Sequence, residues 1–313
     1  MEHAPIHDET TAIAHALRIS DPANGDDAAI VRLGGGSFCI STDSTIAGVH
    51  APLATSPHVL GRRAAARALS DLAAMGALPV GITCAIHVPK DGWADATAAL
   101  DGVAERAGEQ HAPLLGGDFT RTPSDALALV VTVLGRRAGA PRGAGYAPRA
   151  AARLGDELHV TGSLGAAAHA LATGALATGA GSDAITLPEP PARLRAGSIL
   201  ARHARAMIDL SDGLARDASL LVTDPALTAS IELERVPCAP GVDDPRVAAA
   251  GGDDYELLIA IAPERIDAAR AELARACPEL VLTRIGCIAD SLEAHLFTLD
   301  GVPVNVPIGF VHT

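Results

Sequence analysis

Aspartate is the residue type whose placement in this chain invites a chemical reading. An apolar run or a Gly pair repeatedly delivers one or two carboxylates at what reads as a turn. The instances are Gly25-Asp26-Asp27-Ala28, Ser41-Thr42-Asp43, Leu69-Ser70-Asp71, Gly116-Gly117-Asp118, Asp209-Leu210-Ser211-Asp212-Gly213 and Gly251-Gly252-Asp253-Asp254. Any one of them alone is ordinary turn chemistry. Asp71 resists that reading, because it falls inside an Ala/Leu-rich helical stretch at the spacing of the apolar face. A carboxylate near a buried face needs a partner, either a metal ion or a neighbouring Arg. Taken together, the segments suit oxygen ligation of Mg²⁺ against substrate phosphates. Ser41 and Thr42 could add oxygens beside Asp43, and Gly pairs let backbone N–H groups approach phosphate closely.

The basic residues sharpen this. Of 24 Lys and Arg, only Lys90 is a lysine, and it lies in a turn-like His-Val-Pro-Lys-Asp-Gly stretch. No G-x-x-x-x-G-K-[ST] loop exists, so any nucleotide phosphates must be neutralised by something other than a Walker lysine. Aspartates alone would repel ATP: two unit charges about 4 Å apart cost about 4 kcal/mol at an effective dielectric near 20. A phosphate site built of carboxylates therefore works only with cations bound. The formal charge of −13 argues against a general nucleic-acid or anionic-membrane binder. The five cysteines form no C-x-x-C, and with no signal peptide and no long apolar run the simplest expectation is a reduced cytoplasmic protein without a membrane span.

The elements that must position these carboxylates follow from periodicity. Helices are expected over 8–19, 58–75 (closed by Gly76), 94–110, 164–176, 191–206, 213–221 and 264–276. Strands are expected over 28–33, 37–42, 80–88, 113–115, 126–134, 157–161, 231–236, 255–261 and 281–288, with a hairpin turn at Asp300-Gly301 and a loop over 174–181. Arg136–Gly155 carries Pro, Gly and Arg without periodicity. It divides the chain into a first domain (1–138), a linker (139–155) and a second domain (156–313). Strands and helices mix throughout, so the fold class is α/β or α+β. Aromatic residues are only 2% of the chain, so the cores must be packed with small aliphatic side chains.

The order and wording of the segments resemble thiamine-monophosphate kinase, within the aminoimidazole-ribonucleotide-synthetase-like ATP-binding superfamily. The matching stretches are GDDAAIV (25–31), STDSTIAGVH (41–50), GRRAAARALSDLAAMGALPVG (61–81), LLGGDFTR (114–121), RAAARLGDELHVTG (149–162), LPEPPARLRAG (187–197), IDLSDGLARD (208–217) and GGDDYELL (251–258). The resemblance implies a two-domain synthetase-like fold. Its N-terminal mixed-sheet domain would bind ATP and Mg²⁺ and form a homodimer, and a C-terminal α/β domain would complete the site. It implies metal-holding roles for Asp27, Ser41, Thr42, Asp43, Asp71, Asp118, Asp209 and Asp212. Gly117, Asp118, Arg149 and Ser211 would meet ATP, and His50, Asp253 and Phe310 would meet thiamine monophosphate. Three departures touch the substrate side: Ala51 stands where the family usually has Phe, Asp253 where it usually has Glu, and Thr10 or Thr11 where it often has an aromatic.

The implied reaction is direct in-line phosphoryl transfer from ATP to thiamine monophosphate. The attacking phosphate oxygen is already anionic, so no general base is required. Two alternatives remain open on the sequence: another ATP-using reaction of the superfamily, such as amidine synthesis, and a metal-dependent phosphatase.

Overall fold

A computed structural model describes residues 25–137, 147–173, 187–292 and 296–307, with positions 12, 15 and 16 of the N-terminal segment. Most of the helix expected over 8–19, with Thr10 and Thr11, residues 139–146 of the linker, the loop over 174–181 and Phe310 lie outside the described residues.

Five strands form the first sheet: β1 (Ala29–Leu33), β2 (Gly36–Ile46), β3 (Ala77–Val88), β4 (Leu114–Arg121) and β5 (Ala128–Arg137). Their order is β1-β2-β5-β3-β4, antiparallel except for the β3–β4 pair. Helices α1 (Pro57–Ala74) and α2 (Trp93–Glu109) pack together, and α1 lies across β2, β5 and β3. Strand alternation then sorts the side chains. Leu129, Val131 and Val133 of β5 are buried beneath the helices, whereas Val130, Thr132 and Leu134 face the opposite side. Among the described residues no helix covers that second face. Val31, Ile40 and Leu33 stand on it exposed, Leu33 to 63%.

Helix α1 starts where Ser56 accepts the Val59 N–H in its side chain and Pro57 takes the first turn. It ends as expected at Gly76, which adopts φ +61°. Its closeness to α2 depends on glycine: a Cβ on Gly61 would lie 1.9 Å from the Ala99 carbonyl oxygen, and one on Gly102 2.0 Å from that of His58.

The second sheet holds β6 (Glu157–Thr161), β7 (Ala206–Asp209), β8 (Leu227–Glu232), β9 (Leu257–Ile261), β10 (Leu282–Asp290), β11 (Phe297–Leu299) and β12 (Val302–Pro303). The order is β12-β11-β8-β10-β6-β9-β7. Around it lie α3 (Ala166–Thr173), α4 (Leu194–Leu200), α5 (Leu214–Asp217), α6 (Pro245–Ala250) and α7 (Ile266–Ala276). All five β9 residues are buried. Leu257, Ile259 and Ile261 join the core shared with α1, α4 and the first sheet, while Leu258 and Ala260 join the second core on the other side. One apolar body therefore runs from the first sheet through α1 and α4 onto the second, and it holds the two halves of the site in register.

Several expectations are corrected. Strand β2 runs to Ile46, so Ser41-Thr42-Asp43 lies inside a strand rather than at its end. Gly116-Gly117-Asp118 is likewise strand, not turn; the Gly pair masked the extended segment because glycine carries no β-propensity. The helix expected over 191–206 is only Leu194–Leu200, and Ala206 opens β7. Strand β8 ends at Glu232, where a 3₁₀ turn over Leu233–Arg235 begins. The expected hairpin at Asp300-Gly301 joins β11 to β12.

Candidate active site

A cavity of about 820 Å³ opens between the two halves of the molecule. The end of β2, the loop after it and α1 supply one wall; the 211–212 and 252–255 segments supply the other. The structure brings Thr42, Asp43, His50, Asp71, Ser211, Asp212 and Asp253 to its lining.

Alternation along β2 explains which of these face each other. Ser41 pairs in register with Val133 and Asp43 with Val131, both on the helix-covered side. Ser41 Oγ donates to Asp71 Oδ2 of α1 at 2.5 Å, and Asp43 Oδ2 accepts from Arg67 Nε at 3.1 Å. Thr42 points the other way and bonds Thr132 across the strand pair, Oγ1 to Oγ1, at 3.0 Å.

Three carboxylates press on one another here: Asp71 on the cavity lining, and Asp27 and Asp209, both buried and outside that lining. Asp209, at the end of β7, accepts from Ser70 Oγ of α1 at 2.6 Å. Asp27 binds the Arg149 guanidinium through Oδ1, while its buried Oδ2 has no hydrogen-bond partner. Burial, then repulsion from Asp209, pushes the Asp27 carboxyl up to about 8 against the pull of Arg149. Burial likewise raises Asp209 to about 6, with the Ser70 hydroxyl and Arg149 opposing it. Burial and then Asp209 hold Asp71 well above the usual carboxylate range. One guanidinium and two hydroxyls do not balance three carboxylates, two of them buried and Asp71 half-buried.

That imbalance, the orphaned Asp27 oxygen and an all-oxygen donor set suit a hard divalent cation. Among the described residues no three His, Cys, Asp or Glu side chains yet converge as a ready metal cage. Each carboxylate is turned toward its own hydroxyl or guanidinium instead.

Asp118 stands apart. It pairs in register with Ala85, which sets its side chain on the sheet face away from α1, where Oδ2 accepts from Thr120 at 2.7 Å. Gly117 faces the helices; a Cβ there would lie 1.9 Å from the Cys84 carbonyl oxygen, so close strand packing already requires glycine. Arg149, expected at phosphate, engages Asp27 and, through its backbone N–H, Asp26.

His50 Nδ1 accepts the Ile46 N–H at 3.0 Å. In the neutral ring the proton then sits on Nε2, as a donor. Asp253 is not open to the cavity as a lone carboxylate: Arg63, fully buried, donates to it and to the Pro188 carbonyl. Asp253 and Tyr255 both adopt positive φ, 71° and 52°. For a tyrosine that is a strained backbone. Asp253 N–H and Tyr255 N–H donate to the Ser211 and Leu210 carbonyls, which ties this loop to the Asp209–Asp212 segment.

Sequence reasoning missed the residues that brace these loops. Asp217 accepts the Asp212 and Gly213 N–H groups, both at 3.1 Å. Glu256 takes Arg193 through Nε and Nη2 at 2.7 and 2.6 Å and Thr161 Oγ1 at 2.6 Å. Both lie inside motif stretches quoted above, yet nothing in composition separates a brace from a ligand. Arg63 and Arg67 were legible as helical arginines on an Ala-rich, mostly buried surface, the same signal that singled out Asp71.

Known proteins bear on this geometry. Residues 25–137 match the family model for the AIR synthase related protein, N-terminal domain. The chain is 33% identical over 301 residues to a thiamine-monophosphate kinase of Salmonella typhimurium, covering 90% of this chain and 88% of that one. A solved thiamine-monophosphate kinase from Stenotrophomonas maltophilia K279a is 32% identical, with a TM-score of 0.72 over 93% of this chain and 94% of that one. AaThiL complexed with AMPPCP and TMP shares the fold at a TM-score of 0.80 and 24% identity, over 98% and 97% of the two chains. Identity at this level across nearly the whole length, on a fold with the same two mixed sheets, places the chain in the thiamine-monophosphate kinase family.

Proposed function

We propose that this protein transfers the γ-phosphoryl group of ATP to thiamine monophosphate, forming thiamine diphosphate and ADP, with Mg²⁺ held by its aspartates. The observation that carries this reading is the under-neutralised trio Asp27, Asp71 and Asp209, of which Asp71 lines the cavity between the two halves of the molecule. Membership of the kinase family supports it.

Mg²⁺, when bound, would offset the charge of the ATP triphosphate and of the acceptor monophosphate and favour their in-line approach. Asp27, Asp43, Asp71, Asp209 and Asp212 are the residues to hold it. Ser41 and Ser70 keep two of these carboxylates oriented from neighbouring elements. An oxygen of the acceptor monophosphate attacks the γ-phosphorus of ATP, and the bond to the β,γ-bridging oxygen breaks toward ADP. The attacking oxygen carries no proton that must be removed, so the reaction requires no general base. His50 lines the cavity wall, and as the neutral Nε2–H tautomer it would meet the anionic acceptor. The 252–255 loop, strained and tied to Ser211, shapes the far wall.

The open face of the first sheet supports a homodimer. Val31, Leu33 and Ile40 lie exposed on the same face as Asp118 and Thr42, and a second copy docking there would cover the apolar surface. It would also bring the partner's Asp118 toward a site that the chain's own Asp118 faces away from. All five cysteines are free thiols, which suits the reducing cytoplasm. No helix among the described residues is long and apolar enough to cross a membrane.

The test is incubation with Mg-ATP and thiamine monophosphate followed by chromatographic separation. Equal amounts of ADP and thiamine diphosphate are expected. Free phosphate without a doubly phosphorylated product would make the protein a phosphatase and overturn the reading.

A further inference from the structure

The cavity is lined by Asp43, Asp71, Asp212 and Asp253, and among the described lining residues a single arginine, Arg67, stands with them. Arg67 reaches the site from α1, one turn before Asp71, so the same helix presents a cation beside a carboxylate. Its side chain is 11% exposed. Nε donates to Asp43 Oδ2, and Nη1 lies 3.8 Å from Asp253 Oδ1, an ion pair beyond hydrogen-bond length. The guanidinium carbon sits 5.7 Å from the centre of the Tyr255 ring. Tyr255 is itself held in a strained conformation against the cavity. The terminal nitrogens make no hydrogen bond among the described residues. A planar cation is thus held by its Nε edge and one face, and its terminal nitrogens remain for a ligand.

We infer that Arg67 is the positioning residue for the phosphate of the acceptor. This rests on the reading of the site as a phosphotransferase acting on a phosphate monoester, and it names the group that distinguishes the phosphorylated acceptor from its dephosphorylated form. The terminal N–H groups of a guanidinium match two phosphate oxygens in a fork, which a point charge does not. Asp43 and Asp253 fix the fork from the β2 side and from the 252–255 loop. The Tyr255 ring, with the guanidinium carbon over it, attracts the cation from one side. Asp253 then acts on the acceptor through Arg67 rather than by direct contact, which gives a physical reason why a shorter acidic side chain serves at that position. Arg63, fully buried between Asp253 and the Pro188 carbonyl, has no access to the cavity and anchors the loop instead.

The experiment measures equilibrium binding of thiamine monophosphate and of thiamine to the full chain with Mg²⁺ and without ATP. The proteins compared are wild type, Arg67→Met and Arg67→Lys. In Arg67→Met the affinity for thiamine monophosphate is expected to fall on the order of 10- to 100-fold, the range for a hydrogen bond to a charged group. Affinity for thiamine should stay within about threefold. Arg67→Lys should recover part of the preference for the phosphorylated form, since it keeps the charge without the fork. In turnover, KM for thiamine monophosphate should rise in Arg67→Met while KM for ATP does not. Unchanged thiamine monophosphate binding in Arg67→Met, or a parallel loss of both ligands, would overturn the inference. Should Arg67→Met fail to fold by circular dichroism, Arg67→Gln carries the same comparison, because it can still hydrogen-bond Asp43 without the charge. If wild type phosphorylates a different phosphate monoester, the proposed acceptor falls. The Arg67 comparison is then run on that compound and its dephosphorylated form, and it stands or falls separately.

Discussion

The two faces of the first sheet carry the same kinds of residue and hold them in opposite ways. On the helix-covered face Ser41 and Asp43 are clamped by Asp71 and Arg67 of α1, and Asp209 reaches in from the second sheet to Ser70. Every one of those contacts crosses between elements distant in sequence. On the open face, among the described residues, the Thr42 side chain bonds the adjacent strand and Asp118 its neighbour two residues on. One face has already spent its packing on assembling charge, at the cost of burying carboxylates that repel. The other holds a carboxylate whose hydrogen bond among the described residues is local. A pleated strand sends consecutive side chains to opposite faces, so Ser41 and Asp43 meet α1 while Thr42 meets Thr132 on β5; if a second copy docks on the open face, as proposed, Asp118 becomes available to it.

The largest effect should come from the covered face. Asp71→Asn keeps the acceptor for Ser41 Oγ but loses the charge. Turnover is expected to drop at least about 10³-fold, as for loss of a key electrostatic contact. The metal-free protein should gain about 1–2 kcal/mol, because an unbalanced buried charge is removed. Steady-state assay and urea unfolding in EDTA read the two effects. A variant that is both active and less stable would show that the covered face is ordinary structure.

Next in size is a test of the open face. Asp118→Asn and Asp71→Asn are each expected to be inactive alone. If Asp118 serves the partner's site, mixing the two after reversible dissociation yields heterodimers in which both lesions fall in one site and the other is intact. Random reassortment then returns about a quarter of wild-type activity, half the dimers having one working site of two. No recovery on mixing would return Asp118 to its own chain's site and break the division between faces.

What was legible in the sequence divides along the same line. Asp71 was legible because a carboxylate on an Ala/Leu helical face has no ordinary reason to be there, and α1 bears it half-buried at the cavity and raised above the usual carboxylate range. The mixed fold and the end of α1 at Gly76 were legible from periodicity and φ preference. The strand nature of Ser41–Asp43 and Gly116–Asp118 was not, because Gly, Ser, Thr and Asp carry turn propensity, and here cross-strand pairing overrode it. Nor were the pairings of Arg67 with Asp43 and Asp253, which join α1 to β2 and to a loop far along the chain. Such contacts exist only after the two sheets share a core. The braces Asp217 and Glu256 escaped for the same reason: an acidic residue in a motif reads as a ligand until its neighbours are known.

A smaller effect separates the faces by pH. The folded-state values of Asp209, about 6, and Asp27, about 8, lie above the ordinary carboxylate value of 3.8. Between 3.8 and those values the folded protein binds protons that the unfolded chain has released, so this contribution is full at low pH and is lost as pH rises through about 6 and then about 8. In EDTA the melting temperature should therefore fall across that window. Saturating Mg²⁺, binding only the folded, ionised cluster, should flatten or reverse the slope. An identical pH profile with and without Mg²⁺ would remove the cation from the covered face.

The smallest effect is the one that isolates the open face from stability altogether. Asp118 is exposed on β4 and its carboxylate makes one local hydrogen bond. Asp118→Asn retains an oxygen for Thr120, buries nothing new and leaves the helix-covered core untouched. Its change in unfolding free energy is expected within about 0.5 kcal/mol, the range for a surface substitution, measured in urea at a protein concentration held equal to wild type so that dimer dissociation contributes equally. Loss of turnover at unchanged stability would mark Asp118 as a functional group on a surface that owes it no structural debt. A stability loss of several kcal/mol would instead mean that β4 depends on this carboxylate for its own pairing, and the asymmetry between the two faces would reduce to packing.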